Sequence, residues 1–245
     1  LELTILIPVM LIIFLAAVVM GVTSFGFALI AVPLLNLLLP LKVLVPVLIL
    51  YGVITDMILL LPIYRHLDLK GMGYLVGAGI LGIPLGTWLL IILDESILKI
   101  AVGIIVIVSA WALYSGYRVQ IRNEKLGNAV AGFISGILNG SITMSGPPVI
   151  IFYNNQQLEK QVFRANLAFY FLLTTVITVP VMYWGGLFTP QVIKLAVTMS
   201  PSLLIGAAGI LLGSRMGTSM SGSLFNRISL LLFFLMGCMS IISAL

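Results

Sequence analysis

The stretch NGSITMSGPP at 139–148 puts a carboxamide, three hydroxyls, two glycines and two prolines between apolar runs. Asn139, Ser141, Thr143 and Ser145 are hydrogen-bond donors without charge, and Gly140 and Gly146 let another backbone come close. A helix starting near Gly146, with Ser145 as N-cap and Pro147 and Pro148 in its first turn, would aim its positive end into the same region. Upstream, Ser24 precedes Phe25, Gly26 and Phe27 and offers a second, similar helix start. Two helix N-termini converging inside a low-dielectric surrounding make a site for an anion. The prolines remove two amide donors from the second start, so there the side chains must supply more of the contacts.

Two charged residues could join this chemistry. Asp56 lies in an apolar run, about eight residues or about 12 Å of helix from its end near residue 64. Holding an acid ionised at such depth costs about 2.5–3.5 kcal/mol, which suits a group that takes up and releases a proton during transport. The alternative is an acid facing water at a helix end or bonded to a neighbouring hydroxyl. Arg164, in QVFRANL, could clamp an oxyanion through its planar fork; equally, it could be an interfacial cation snorkelling to the membrane surface. His66 reads as a loop residue, and Trp88, Trp111 and Trp184 as interfacial anchors or packing. No pattern for a metal, a nucleotide phosphate or a Ser/His/Asp constellation is visible, and no cofactor is expected.

The elements that must hold these residues are set by composition. Charged residues make up 8% of the 245, against about 25% in soluble domains, and mean hydropathy is +1.26. The expected class is an all-α, multi-pass membrane protein in contact with lipid, with no room for a soluble domain of ordinary size. The net charge of +5 reads as cytoplasmic loop cations rather than a nucleic-acid surface. The first apolar run lacks a basic flank and is not expected to be a cleavable signal. Cys238 stands alone, which excludes a disulfide framework.

Ten apolar segments run at 3–20, 25–39, 42–64, 71–92, 96–117, 127–139, 146–155, 162–184, 190–212 and 224–245. The pair 127–139 and 146–155 is short. Thirteen residues rise about 20 Å and ten about 15 Å, half of a hydrocarbon core of about 30 Å. GIPLGT at 82–87 returns as GSRMGT at 213–218, a spacing of 131, and Gly26 returns as Gly146, a spacing of 120. These matches predict two copies of a five-segment unit, 1–117 and 126–245, joined by the basic linker 118–125. Gly82/Gly86 and Gly213/Gly217 are expected to pack helices closely. If each short pair enters and leaves on one side, nine cations share one face: Arg65, Lys70, Arg118, Arg122, Lys125, Lys160, Arg164, Arg215 and Arg227. Lys42, Lys99 and Lys194 remain on the other. That bias favours the hairpin reading, puts both ends of the chain outside, and makes the copies inverted in topology around broken elements near the midplane.

GVTSFGFALIAVPLL at 21–35, GFISGILNGSITMSGPPVIIFYNN at 132–155 and FRANLAFYF at 163–171 resemble the two halves of the TauE/SafE sulfite exporter family, over essentially the whole chain. The resemblance implies a secondary transporter of a small sulfur-containing anion such as sulfite or an organosulfonate, linked to protons, in the cell (inner or plasma) membrane. It does not imply an enzyme. It carries motif positions onto Gly21, Ser24, Gly26, Pro33, Gly136, Gly140, Gly146, Pro147, Pro148 and Arg164. The first motif reads FGFAL where the family often has a more glycine-rich run, which bears on the width of that half-site. An anion channel with the same pore is the main alternative. An intramembrane enzyme is the weaker one, since a single His and a single mid-span acid do not make a catalytic set. The sequence leaves the direction of transport and the oligomeric state open.

Overall fold

The computed structural model describes residues 3–115, 123–153 and 158–219. The tenth apolar segment at 224–245, with Arg227 and Cys238, lies outside the described residues, as do linker residues 118–122 with Arg118 and Arg122. Ten α-helices and no strand are present among the described residues. They are α1 (Leu3–Thr23), α2 (Phe27–Asn36), α3 (Leu41–Leu60), α4 (Met72–Ile92), α5 (Glu95–Ser115), α6 (Glu124–Ile142), α7 (Gly146–Tyr153), α8 (Lys160–Trp184), α9 (Pro190–Met199) and α10 (Pro201–Ser219). A 3₁₀ turn at Tyr64–His66 keeps His66 in a loop. Four helices, α1, α3, α4 and α8, are long and apolar enough to cross a membrane, and α9 with α10 makes a fifth if taken together. The chain is a multi-pass integral membrane protein.

Two expectations about length are corrected. The helix read as thirteen residues at 127–139 is α6, with 19 residues, or about 28 Å. Its start was hidden because Glu124 and Lys125 are charged. Asn123 nonetheless caps the helix, its side chain accepting from the amides of Lys125 (3.1 Å) and Leu126 (3.3 Å). Of the pair α6 and α7 only α7, with 8 residues or about 12 Å, has the length of a half crossing; α2, with 10 residues, is nearly as short. The segment read as one span at 190–212 is broken instead: α9 and α10 meet at Ser200 with a bend of 54°. Pro201 has no amide to continue the helical ladder, and the Tyr51 hydroxyl donates to the Ala196 carbonyl at 2.8 Å, on the α9 side of the bend.

The tightest packing joins α1 to α10 and α4 to α6, and glycine makes both possible. A Cβ on Gly86 would sit 2.1 Å from the Ile137 carbonyl oxygen, and one on Gly82 2.3 Å from that of Phe133. In the other pair, a Cβ on Gly213 would sit 2.1 Å from the Val18 carbonyl oxygen, and one on Gly209 2.9 Å from that of Phe14. Phe14 and Phe133, like Val18 and Ile137, lie 119 residues apart, while Gly82 and Gly209, like Gly86 and Gly213, lie 127 apart. The contacts therefore pair Gly86 with Gly213 at a spacing of 127. The match of 131 read from GxxxGT was one helical turn out of register. The outer faces agree as well: Ile7, Leu11 and Leu15 are exposed on α1, and Leu126, Val130 and Ile134, each 119 residues on, are exposed on α6.

Between these two seams run α3 and α8, which carry the same local pattern 119 residues apart. Thr55 Oγ1 donates back to the Tyr51 carbonyl, and Thr174 Oγ1 to that of Tyr170. The two helices are antiparallel. Asp56, in the last third of α3, meets Thr175, and beyond the end of α3 the Asp68 amide donates to Asn166 Oδ1, near the start of α8, at 3.0 Å.

The seams predict a contrast between two glycines of α4. Gly86→Leu should lower the detergent melting temperature by the equivalent of more than about 1–3 kcal/mol, because backbone stands where the side chain must go. Gly77→Ala, with nothing within 4 Å of its added Cβ, should melt as the parent does. Equal melting of both variants would contradict the seam.

Candidate anion-binding site

Two three-residue interruptions form the site. In the first, α1 ends at Thr23 and α2 begins at Phe27; in the second, α6 ends at Ile142 and α7 begins at Gly146. Each opens with a non-glycine residue in the left-handed region, Ser24 at φ 67° and Thr143 at φ 60°. Such conformations cost about 1–3 kcal/mol and persist only where the surroundings enforce them. Ser24 and Thr143 are 119 residues apart, as are Gly26 and Ser145, which immediately precede α2 and α7. Gly26 is thus matched by Ser145 rather than by Gly146, one residue away from the sequence-based pairing. Gly26 itself has φ 92°, which an L side chain rarely adopts.

The surroundings that enforce these turns differ. The second break closes on itself, with the Thr143 amide donating to the Asn139 carbonyl (3.1 Å) and the Met144 amide to that of Leu138 (3.3 Å), a Schellman-like cap. The Ser135 hydroxyl also donates to the Ser145 carbonyl at 2.6 Å. The first break has local bonds too, the Ser24 amide donating to the Met20 carbonyl (2.7 Å) and the Phe25 amide to Thr23 Oγ1 (3.1 Å), and it is also tied across the molecule. Arg164 Nε donates to Ser24 Oγ at 2.8 Å and its Nη2 to the Gly21 carbonyl at 2.9 Å. A cation is well placed there, since carbonyls at a helix C-terminus carry partial negative charge.

A cavity of about 70 Å³ lies between the two breaks and the middle of α3 and α8. Its wall includes matched residues 119 apart: Met20 with Asn139, Phe25 with Met144, Gly26 with Ser145, Phe27 with Gly146, Gly52 with Phe171, and Asp56 with Thr175. The last two touch each other, Thr175 Oγ1 donating to Asp56 Oδ2 at 3.2 Å. Donors to the cavity come from both sides. Phe27, Ala28 and Leu29 line it and lie in the first turn of α2, where amides have no helical partner. In the first turn of α7 only Gly146 both lines the cavity and keeps an amide, because Pro147 and Pro148 have none. Ser145, 7% exposed, brings its hydroxyl-bearing side chain to the same wall. Asn139 donates through Nδ2 to Thr178 Oγ1 at 2.9 Å, which fixes its amide plane at the wall.

Of the residues singled out in the sequence, Gly26, Phe27, Asp56, Asn139, Thr143, Ser145 and Gly146 meet at this cavity. The others are placed beside it. Ser24 is buried under Arg164, and Arg164 sits behind the first break, not on the wall. Gly140 packs on α4, where a Cβ would come 2.4 Å from the Ile83 carbonyl oxygen. The Ser141 hydroxyl donates back to the Ile137 carbonyl at 2.7 Å. Pro147 faces an apolar groove of about 750 Å³ between α5, α6 and α7, whose nearly all-carbon wall suits an anion poorly. The apolar part of the cavity wall (Met20, Phe25, Leu48, Ile49 and Phe171) went unmarked in the sequence, since nothing distinguishes such residues from core.

Arg164→Gln should therefore act on the fold of the first break. Each lost bond to a charged group costs about 1.5–3 kcal/mol, so the melting temperature should fall while the surviving protein keeps its apparent affinity for the anion. Unchanged melting together with a raised KM would instead place the guanidinium on the substrate.

The family model described as Sulfite exporter TauE/SafE matches residues 9–240, nearly the whole chain. No curated protein and no solved structure matches the chain.

Proposed function

Because the chain belongs to the TauE/SafE sulfite exporter family, we propose that it is a secondary transporter exporting a small sulfur-containing anion, such as sulfite or an organosulfonate, across the cell membrane. In this reading export is coupled to protons and works by alternating access to the cavity between the two breaks. The observation that carries the reading is the convergence there of the first turns of α2 and α7 with the side chain of Ser145. Neutral donors of this kind hold an anion without fixing it permanently, as a carrier requires.

Two copies of opposite orientation, 1–117 and 126–245, with the basic linker between them, account for the register of 119. The antiparallel course of the corresponding helices α3 and α8 supports the inversion, as does the reciprocal packing of α1 on α10 and α6 on α4. In such architectures one repeat rocks against the other around a fixed central site. Asp56 is the natural proton carrier of the pair: it faces the cavity, it is 5% exposed, and it accepts from the neutral hydroxyl of Thr175. A bound anion and an ionised Asp56 would repel each other in a medium of low dielectric. Anion entry therefore favours the protonated acid, and anion release favours the ionised one. Cations crowd the face carrying Arg65, Lys70, Lys125 and Lys160, which supports placing that face in the cytoplasm.

Sulfite flux into proteoliposomes tests this. An imposed pH gradient should accelerate saturable flux through the parent protein; gradient-independent flux without saturation would indicate a channel instead. Asp56→Asn should remove the gradient dependence, and an unchanged response would clear Asp56 of proton carriage. Gly146→Leu should abolish flux while the protein still inserts, because its Cβ already meets Ile150 at 3.3 Å and Phe171 at 3.7 Å and the rest of the side chain must fill the cavity. Normal flux in that variant would remove α7 from the site.

A further inference from the structure

The charge on the cavity wall sets the charge of what it can hold. Every donor facing the cavity is neutral: amides of α2 and α7, the Ser145 hydroxyl and the Asn139 amide. Among the described residues no Lys, Arg or His lines it, and the ionisable group on the wall is an acid, Asp56. The cation that reaches this region is Arg164, buried behind the first break and engaged with Ser24 and Gly21. Among the described residues it meets no carboxylate within ion-pair distance. The buried region thus offers one positive charge at second remove. A doubly charged anion stripped of water there would leave one charge without a counterion, and desolvated charge is tolerated only when it is paired.

The shape and polarity of the wall point the same way. Donors cluster where α2 begins and at Ser145, while Met20, Phe25, Leu48, Ile49 and Phe171 present carbon. A tetrahedral anion with oxygen at every corner would turn at least one oxygen towards that carbon surface and lose its hydration there. An anion with one uncharged corner would not.

We propose that the cavity is a site for singly charged sulfur oxyanions carrying one uncharged substituent, of the hydrogensulfite or small alkanesulfonate type. Its neutral donors hold the oxygens, its carbon wall takes the substituent, and dianions are excluded. This rests on the transporter reading above and narrows it: sulfate, dianionic sulfite and carboxylated sulfonates are poor ligands of the same cavity. Met20 is the residue whose change would relax the rule. It lines the wall opposite its counterpart Asn139, and lysine has a similar side-chain length with a charge at its tip.

Methanesulfonate and sulfate decide the matter, because they share a tetrahedral shape and differ by one methyl for one charged oxygen. Their binding to the purified full-length protein in detergent, measured by calorimetry at neutral pH, should favour methanesulfonate by more than about tenfold, with sulfoacetate as weak as sulfate. In Met20→Lys, sulfate should gain at least about tenfold relative to methanesulfonate, the scale of a close charge pair. Should Met20→Lys fail to fold, the parent protein's preference alone still decides. Sulfate or sulfoacetate binding as tightly as methanesulfonate would overturn the charge rule and leave the transporter reading standing. Binding of none of the four anions methanesulfonate, sulfite, sulfate and sulfoacetate would overturn both.

Discussion

A polar backbone group inside hydrocarbon has no water to bond, so a helix interrupted there must find partners for the amides and carbonyls it releases. The two interruptions in this chain share a local solution and differ in what is added to it. At both, the first residue of the break donates its amide back to a carbonyl four residues earlier, Ser24 to Met20 and Thr143 to Asn139. At the first, a guanidinium from α8 reaches over to Ser24 and Gly21. Both solutions satisfy carbonyls at the ends of α1 and α6. They leave the amides at the starts of α2 and α7 without protein partners, and those amides are what the cavity presents.

That arrangement needs α1 and α6 held rigidly, which is the work of the glycine seams. Backbone-to-backbone contact at Gly21, Gly209 and Gly213, and at Gly82, Gly86, Gly132 and Gly136, leaves no space even for a methyl group. The seams bind α1 to α10 and α6 to α4, so the breaks face each other because of contacts formed far apart in sequence. Between them Asp56 of α3 and Thr175 of α8, 119 residues apart in the chain, meet each other.

Much of this was readable in the chain itself, where the physics is local. The hydroxyls, glycines and prolines at 139–148 marked the second break, and FGF after Ser24 marked the first, because helix starts have their own residue chemistry. Membrane character followed from composition. What depends on long-range contact was not readable. The sequence left Arg164 between an oxyanion clamp and a surface cation, and its place behind Ser24 is set by a contact across 140 positions. GxxxGT put the second glycine seam one turn out of register, because several glycines at helical spacing fit more than one alignment. The bend at Ser200 was missed inside an unbroken apolar run, since hydropathy does not register a missing amide at Pro201.

The central claim is that a small anion sits between the N-terminus of α2 and Ser145, enclosed by two interrupted helices. A density map of the protein in lipid nanodiscs with bound sulfite tests it most directly. The account predicts density within hydrogen-bonding distance of the amides of Phe27 to Leu29 and of the Ser145 hydroxyl, with both interruptions retained. Sulfite found only on the Lys- and Arg-bearing surface, or α1 running unbroken into α2, would contradict it.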